Sequence, residues 1–379
     1  MALLTYSTRP RGGVVHTLAL AEALAALGVD VHVWTLGRGG DTTFFRPVDP
    51  AVTVHAVPFA DRPDGLVAED VTEDVGARIV RSIDVLAEAF AAERAAYDVV
   101  HAQDCISANA ALRSGTCLRT VHHLDTFTTP ELVACHDRAV HEPAGLVCVS
   151  AAVAEEVRAG YGRTTTVIAN GVAAARFEAG ALDAAGRGAC RRELGRYVLA
   201  VGGIEPRKGT LDLLEAFAGL RAAHPDVRLV LAGGETLFDY RDYRTAFDAR
   251  AAELGVEPVL LGVVDDDALP ALVAEAAALS FVSTKEGFGL AALEALAAGT
   301  PVLARDLPVL REVLGDTVAY AADVPAMTDA LTGLLTDPPP SEPGRDLARS
   351  FSWTTAAEAH LAFYENALSA HTGRPTHLD

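Results

Sequence analysis

Residues 197–213 read YVLAVGGIEPRKGTLDL, and this stretch decides the fold. A short apolar run typical of a buried strand leads into a glycine-rich turn, and the turn leads into a helix-like run. A strand, a glycine turn and a helix in succession are typical of parallel α/β sheets. Such a turn also points free backbone N–H groups and the positive end of a helix dipole at one spot, which is how proteins hold phosphate.

A second turn, residues 284–290 (TKEGFGL), repeats this arrangement after another apolar run. The only two lysines, Lys208 and Lys285, lie in these two turns, and every other one of the 31 basic residues is arginine. Glu294 follows on the apolar face of the next helix, because positions 290, 293, 294 and 297 share one face. A carboxylate there is costly to bury unless hydroxyl donors, such as those of a sugar or ribose, reach it. Together the turns predict a site for a phosphorylated ligand.

Each turn also has a simpler interpretation. The first could be an ordinary turn whose Lys208 faces water. At the second, Glu294 could be partly solvated and complement the helix dipole. The recurrence of the same arrangement at two places favours ligand binding over both alternatives.

Size and composition limit the possible functions. A chain of 379 residues predicts two domains, and its net charge of −20 argues against a nucleic-acid surface and against docking on anionic lipid. Five cysteines without a Cys-x-x-Cys motif predict free thiols rather than disulfides or a zinc site. No signal peptide and no run of about 18 apolar residues is present. We therefore expect a cytoplasmic protein without an integral membrane segment.

Strand-like and helix-like runs alternate along the whole chain, which predicts an α/β fold with parallel sheets. Residues 173–192 are rich in alanine, glycine and arginine and are interpreted as a linker. The predicted domains are residues 1–180, completed by a C-terminal helix in 351–379, and residues 190–350. Both domains are expected to be Rossmann-like.

Three weaker motifs remain. Gly12 and Gly13 follow the first strand and resemble half of a phosphate loop. His122, His123 and Asp125 follow a strand at the sheet edge where ligands bind. They are interpreted as neutral hydrogen-bonding groups in preference to metal ligands. The triplet 265–267 (DDD) precedes a helix expected over residues 269–278, so we interpret it as an N-cap and predict no metal site.

At these residues the chain resembles the retaining glycosyltransferases of family GT4, which have the GT-B fold. The resemblance covers nearly the whole chain. It includes Gly12-Gly13, Thr120-Val121-His122, Val149-Ser150, Asn170-Gly171-Val172 ahead of Phe177, Lys208-Gly209, Glu286 with Glu294, Gly299-Thr300-Pro301-Val302 and Phe351-Ser352-Trp353. It implies two Rossmann-like domains facing across a cleft, with the C-terminal helix crossing back to the first domain.

The resemblance also implies roles for particular residues. Lys208 and the amides of Phe288, Gly289, Leu290 and Gly13 would hold a nucleoside diphosphate, with Gly12, Gly203, Arg207 and Gly287 in the same turns. Glu294 would accept hydrogen bonds from the ribose, and Glu286 from the transferred sugar. His122 would contact that sugar, and the neighbouring His123 could share the role. The family usually has an arginine where this chain has Gly203, so Arg207 is the candidate replacement.

The implied reaction is hexose transfer from a nucleoside-diphosphate sugar to an acceptor hydroxyl, with retention and without a metal or other cofactor. The acceptor is an unidentified small molecule or glycan, and loops at residues 59–72 and 125–142 are expected to select it. Three alternatives stay open: a GT-B-type sugar-nucleotide epimerase, a phosphorylase, and a non-catalytic nucleotide-sugar-binding partner subunit. The donor sugar, the base and the oligomeric state stay open as well.

Overall fold

A computed structural model describes residues 1–60, 73–234 and 240–372 of the chain, with side chains described as far as residue 369. The chain divides into two compact units. The first unit is Met1–Gly171 with Trp353–Asp379, and the second is Val172–Ser352. The predicted acceptor loop at 59–72 lies outside the described residues except for its first two positions.

The first unit contains a sheet of seven parallel strands in the order β3-β2-β1-β4-β5-β6-β7. The strands are β1 Ala2–Leu4, β2 Val31–Arg38, β3 Val52–Phe59, β4 Val100–Ala102, β5 Leu118–Val121, β6 Gly145–Cys148 and β7 Thr166–Val167. Its helices are α1 Gly12–Ala26, α2 Val75–Ala91, α3 Cys105–Leu112, α4 Pro130–His141, α5 Ala151–Tyr161 and the C-terminal α15 Trp353–Thr372.

The second unit contains six parallel strands in the order β10-β9-β8-β11-β12-β13. The strands are β8 Arg196–Val201, β9 Val227–Ala232, β10 Val259–Gly262, β11 Ala278–Phe281, β12 Val302–Arg305 and β13 Ala319–Ala321. The helices are α6 Ala174–Leu182, α7 Ala184–Leu194, α8 Thr210–Leu220, α9 Arg241–Leu254, α10 Leu269–Glu275, α11 Leu290–Ala298, α12 Pro308–Leu314, α13 Val324–Thr336 and α14 Glu342–Ser350.

Each unit buries its own core, as expected when helices cover a parallel sheet. In the second unit, Leu213, Phe217 and Leu220 recur on one face of α8 and join the buried cluster over β8 and β9. In the first unit, Leu20 and Leu24 of α1 belong to a cluster that also contains residues of α15. The C-terminal helix thus completes the first unit, in agreement with the sequence-based expectation.

One expectation about local structure is wrong, and one strand was missed. The segment predicted as a linker is the helices α6 and α7, which pack against α10 and α11 within the second unit. The composition misled because α6 buries only Phe177 and Gly180 and α7 buries only Leu194, so neither has a clear apolar stripe. The strand β13 was not predicted, since it is only three residues long.

The two sheets have equivalent strand orders, in which the first strand of each unit lies inside the sheet. Each sheet therefore has a switch point, where the strand order changes direction. The direction in which successive strands are added to the sheet reverses between β1 and β4 in the first sheet and between β8 and β11 in the second. Loops leaving the carboxyl ends of the two central strands diverge there, which opens a crevice for ligands. In the second unit these loops are residues 202–209 and 282–289, the two glycine-rich turns of the sequence.

Candidate functional site

The two turns of the second unit are in direct contact. The amide of Thr284 donates to the carbonyl of Arg207 at 2.8 Å, and the Thr284 hydroxyl donates to the same oxygen at 3.2 Å. Because β8 and β11 are neighbours in the sheet, two segments almost eighty residues apart in sequence form one surface at their carboxyl ends.

Lys208 and Glu286 form the central ion pair of this surface. The Lys208 ammonium donates to Glu286 Oε1 at 2.6 Å, and Arg207 Nη1 donates to the same oxygen at 3.1 Å. Only 12% of the Glu286 side chain and 17% of the Lys208 side chain are exposed. Burial alone would raise the pKa of Glu286, but Lys208 and Arg207 outweigh it and lower the pKa to about 2. Glu286 is therefore a carboxylate at neutral pH.

The helix α11 begins at this surface without a capping side chain. Its N-cap is Gly289, whose φ of 102° lies in a region that L side chains rarely adopt. Phe288 is buried and packs edge-on against Phe351, with ring centroids 5.4 Å apart. Phe288 thus anchors the turn, and the first amides of the helix, including that of Leu290, have no intrahelical acceptor. Gly287 is also buried in this turn.

The backbone of the Gly202-Gly203 turn packs closely against the residues at the carboxyl end of β9. The amide of Gly202 donates to the carbonyl of Ala232 at 2.8 Å. A Cβ atom on Gly233 would lie 2.2 Å from the carbonyl carbon of Gly202, so only glycine fits at position 233. Sequence reasoning missed Gly233, although a Gly-Gly pair directly after β9 was a visible signal. It also missed the buried Ser283, which helps to lower the pKa of Glu286.

Arg207 makes contacts that bear on its predicted role. Besides Glu286 it contacts the carbonyl of Lys285 at 3.3 Å and the carboxylate of Glu205 at 3.5 Å. Its guanidinium therefore contributes positive charge beside Lys208, while these contacts orient it toward the glutamates of the same turns. Whether it replaces the arginine missing at Gly203 stays a prediction.

Glu294 lies on α11, partly buried, and makes no hydrogen bond or ion pair with any residue that the structure describes. Burial raises its pKa to about 7, an effect that Arg176 opposes and Asp266 adds to. A carboxyl group that is desolvated without donors of its own is costly, and ligand hydroxyl groups would supply the missing hydrogen bonds. Glu294 thus takes no part in the hydrogen bonds of the Lys208–Glu286 pair, and its role in ligand binding stays a prediction.

In the first unit, Gly13 and His122 are brought together. Gly12 and Gly13 open α1, again without a capping side chain, and a Cβ on Gly13 would lie 3.6 Å from the His122 ring. Burial, followed by the charges of His123 and Arg119, lowers the pKa of His122 to about 3, so the ring is neutral. His123 instead pairs with Asp125 at 2.9 Å. The two neighbouring histidines therefore have different surroundings.

The acidic triplet does not cap α10. The N-cap of that helix is Ala268, which has no capping side chain, and the helix ends at Glu275 rather than 278. The carbonyl of Asp265, not its carboxylate, accepts the first amides, while Asp266 pairs with Arg176 at 2.9 Å. The N-cap interpretation is therefore wrong. Within residues 1–60, 73–234 and 240–372, no group of three or more His, Cys, Asp or Glu side chains is arranged to hold a metal ion.

None of the helices in the described parts of the chain is long and apolar enough to cross a membrane.

Comparison with known proteins identifies the class. The family description Glycosyltransferase Family 4 matches residues 10–176, and the description Glycosyl transferases group 1 matches residues 191–350. The GT-B fold of the HepE protein of Anabaena superposes with a TM-score of 0.76 at 18% identity, over 96% of this chain and 99% of that one.

Curated relatives agree with this class. The D-inositol 3-phosphate glycosyltransferase of Streptomyces avermitilis is 30% identical over 99% of this chain and 89% of its own length. The glycogen synthase of Mycobacterium tuberculosis is 29% identical over 92% of this chain and 89% of its own length. The chain belongs to the GT4-type glycosyltransferases with the GT-B fold, and the resemblance inferred from its sequence is confirmed.

Proposed function

We propose that this glycosyltransferase moves a hexose from a nucleoside-diphosphate sugar to an acceptor hydroxyl, with retention of configuration and without a metal or other cofactor. One observation carries the proposal: the two turns of the second unit join Lys208, Glu286 and the open N-terminus of α11 on one surface. The description of the HepE structure as a complex with UDP-glucose supports a donor of this class.

The donor diphosphate would bind at Lys208 and the first amides of α11. The Lys208 ammonium has three donors and gives one to Glu286, which leaves two for phosphate oxygens. Helix N-termini and a lysine together stabilise the charge that builds on a leaving diphosphate, an effect worth several kcal/mol in a site that excludes water. We propose that these groups replace a metal ion in the reaction.

The two glutamates would hold the rest of the donor. Lys208 and Arg207 both donate to Oε1 of Glu286, so we propose that Oε2 accepts from a hydroxyl of the transferred sugar. Glu294 would accept from the ribose hydroxyls, which would satisfy a carboxyl group that has no donor of its own. Retention would follow from a front-face reaction in which the leaving phosphate helps to deprotonate the acceptor.

We further propose that the second unit holds the nucleotide and that His122 of the first unit contributes to transfer rather than to nucleotide binding. The strong phosphate-binding features, Lys208, Glu286, Gly289 and Glu294, all belong to the second unit. His122→Ala should reduce transfer much more than affinity for a free nucleoside diphosphate. The assignment of the units is wrong if His122→Ala abolishes diphosphate binding while Glu294→Ala leaves it intact.

Calorimetric titration with UDP, GDP and ADP tests the donor site and identifies the base. Lys208→Ala should weaken binding of the preferred nucleotide at least tenfold, or about 1.4 kcal/mol. Lys285→Ala is the matched control, because it removes the other lysine from the neighbouring turn, and it should change affinity less than about threefold. Equal effects of the two substitutions would contradict the site.

Activity assays separate the remaining alternatives. Transfer should survive EDTA, and a complete loss restored by Mn²⁺ or Mg²⁺ would contradict the metal-independent reaction. Turnover of a nucleotide sugar alone would indicate an epimerase, and phosphate-dependent cleavage of a glucan would indicate a phosphorylase. Donor binding without transfer to a broad acceptor panel would indicate a non-catalytic partner subunit.

A further inference from the structure

Two cysteines of the first unit lie side by side next to its switch point. Cys105 is the first residue of α3, directly after β4, and it is partly exposed. Cys135 is buried in α4, which packs against α3. Neither residue has a role in the proposed transfer reaction, and their separation of thirty positions gives no motif in the sequence.

One side chain shows how near the two cysteines are. The amide nitrogen Nδ2 of Asn109 lies 2.8 Å from the carbonyl oxygen of Cys105 and 2.8 Å from that of Cys135. It also lies 3.4 Å from the Cys135 sulfur. The two thiols are also close enough for each to shift the pKa of the other. The backbones of both cysteines therefore approach the same amide group, and a disulfide between them would place their Cα atoms about 4.4–6.8 Å apart.

The surroundings of Cys105 favour its thiolate. Arg119 on β5 is 4% exposed, and its Nε and Nη1 atoms have no hydrogen-bond partner among the residues that the structure describes. A buried guanidinium without hydrogen-bond acceptors is costly, and an adjacent anion offsets that cost. His136 is close enough to Cys105 to lower its pKa, and the positive end of the α3 dipole lies at the same place.

The surrounding groups shift the pKa values of the two cysteines in opposite directions. The hydrogen bond from Cys135 lowers the pKa of Cys105 well below its usual range, and His136 and Arg119 lower it further against the effect of burial. The pKa of Cys135 is raised, first by its hydrogen bond to Cys105 and then by burial, so its thiol keeps its proton. Asp104, the N-cap of α3, is the nearby negative group, and burial followed by the charge of Cys105 raises its pKa to about 6.

We propose that Cys105 is a reactive thiolate and that it forms a reversible disulfide with Cys135 when the protein meets a peroxide oxidant. The Cys105 thiolate attacks one peroxide oxygen and the O–O bond breaks, which leaves a sulfenic acid on Cys105. The other peroxide oxygen leaves as hydroxide and takes up a proton from solvent to become water. The Cys135 sulfur then attacks the sulfenic sulfur, the S–O bond breaks, and the thiol proton leaves with the hydroxide as a second water. Two external thiols reverse the change by exchange.

The position of the pair links it to the rest of the first unit. Asp104 Oδ2 accepts from the amide of Tyr6 at 3.0 Å, and Oδ1 accepts from Ser107 within α3. Tyr6 lies in the loop between β1 and α1, just ahead of Gly12 and Gly13. A disulfide between Cys105 and α4 would therefore constrain the start of α3, to which the loop between β1 and α1 is hydrogen-bonded.

The first experiment compares alkylation rates of two cysteines in one protein. Cys190, on α7 of the second unit, is also partly exposed, but burial raises its pKa. With iodoacetamide and peptide mass spectrometry, labelling of Cys105 should change less than about threefold between pH 6 and pH 8, because it is a thiolate throughout. Labelling of Cys190 should rise about tenfold per pH unit. A Cys105 profile that follows that of Cys190 would overturn the proposal.

The second experiment identifies the product of oxidation. Limiting hydrogen peroxide should remove two hydrogen atoms from the intact protein and give a crosslinked peptide joining positions 105 and 135, and dithiothreitol should reverse both changes. In Cys135→Ser the sulfenic acid of Cys105 should accumulate and react with dimedone. Cys117→Ser, which removes a buried thiol elsewhere, should behave like the wild type.

Two outcomes would overturn the disulfide: oxidation confined to Cys190, or a stable sulfinic acid at Cys105 with no crosslink. If Cys135→Ser fails to fold, the peptide map of the wild type decides alone. Arg119→Lys should keep the flat alkylation profile of Cys105, whereas Arg119→Met should make it depend on pH. If Arg119 served only stability, both variants would have a lower unfolding midpoint, and their pH profiles of Cys105 alkylation would be the same.

Discussion

The two units share one strand order, yet their switch points carry different chemistry. In the second unit, α11 starts from Gly289 with no capping side chain, beside the Lys208–Glu286 pair. In the first unit, the equivalent helix α3 starts from Asp104, which forms a capping box with Ser107 and also accepts from Tyr6. The same topology thus presents open amides in one unit and amides already satisfied by side chains in the other.

The difference shows what a switch point needs before it can hold an anion. Backbone geometry alone supplies a crevice and a helix dipole. A side-chain carboxylate at the N-cap uses up the donors and adds a negative charge, so α3 is a stable helix start rather than a phosphate site. A glycine at the N-cap of α11 leaves the donors to a ligand, at a cost in stability when no ligand is bound.

The largest expected difference between the two units is their loss of stability on acidification. His16, His101 and His360 are fully buried in the first unit, and only His224 of the 12 histidines lies in the second. Burial, with the charge of neighbouring histidines at His16 and His101, lowers the pKa of these two well below 6.5, and burial lowers that of His360 to about 4. The unfolded chain then binds more protons between pH 6.5 and about 4, so the first unit loses stability as pH falls through that window.

The two tryptophans report on this loss, because Trp34 and Trp353 both belong to the first unit. The free energy of unfolding in urea, followed by tryptophan fluorescence, should fall from pH 7 to pH 5. The fall is about 1.4 kcal/mol per pH unit below 6.5 for each histidine that only the unfolded chain protonates. His360→Gln should reduce the fall. Asp104 has the opposite effect on stability, because burial raises its pKa to about 6, but it is a single group against several histidines. A midpoint independent of pH would show that the histidines are hydrated.

Removing a cap should cost more in the first unit than in the second. Asp104→Ala removes the acceptor of two amides at a buried helix start, and we expect a loss of about 2 kcal/mol in the free energy of unfolding. Asp323→Ala is the matched control, since Asp323 Oδ1 caps α13 through one amide at an exposed position, and should cost about 1 kcal/mol. Chemical denaturation measures both, and equal losses would contradict the contrast.

Glu294 allows the proposed donor site to be tested by pH. Glu294→Ala should weaken binding of the donor sugar nucleotide at least tenfold, about 1.4 kcal/mol.

Burial raises the pKa of Glu294 to about 7, so the wild type should bind more tightly at pH 8, where the carboxylate accepts from two hydroxyls, than at pH 6. Glu294→Gln should bind weakly at both pH values. A sugar nucleotide is the right probe because its diphosphate does not titrate in this range. A wild-type affinity unchanged across it would contradict the role.

Some features of both units could be predicted from local sequence. The strands β5 Leu118–Val121 and β9 Val227–Ala232 are short, largely apolar runs between turn residues, which is a local signal that the sequence shows directly. The two lysine turns were also recognisable, since glycine and a rare residue type recur after strands. The helices α6 and α7 were taken for a linker because neither has an apolar stripe, and packing against α10 and α11 supplies what local pattern lacks.

The sequence by itself determined the alternation of strands and helices, the two-unit organisation, the family, and the residue types at Lys208, Glu286 and Glu294. The alternation and the turns follow from period, spacing and composition, which act over a few residues, whereas the family follows from the resemblance of the motifs. Only the tertiary structure decided which side chains meet. It joined Lys208 to Glu286, paired Asp266 with Arg176 rather than with the helix start, and brought Cys105 beside Cys135. Contacts between distant positions depend on strand order and helix packing, and no local pattern encodes them.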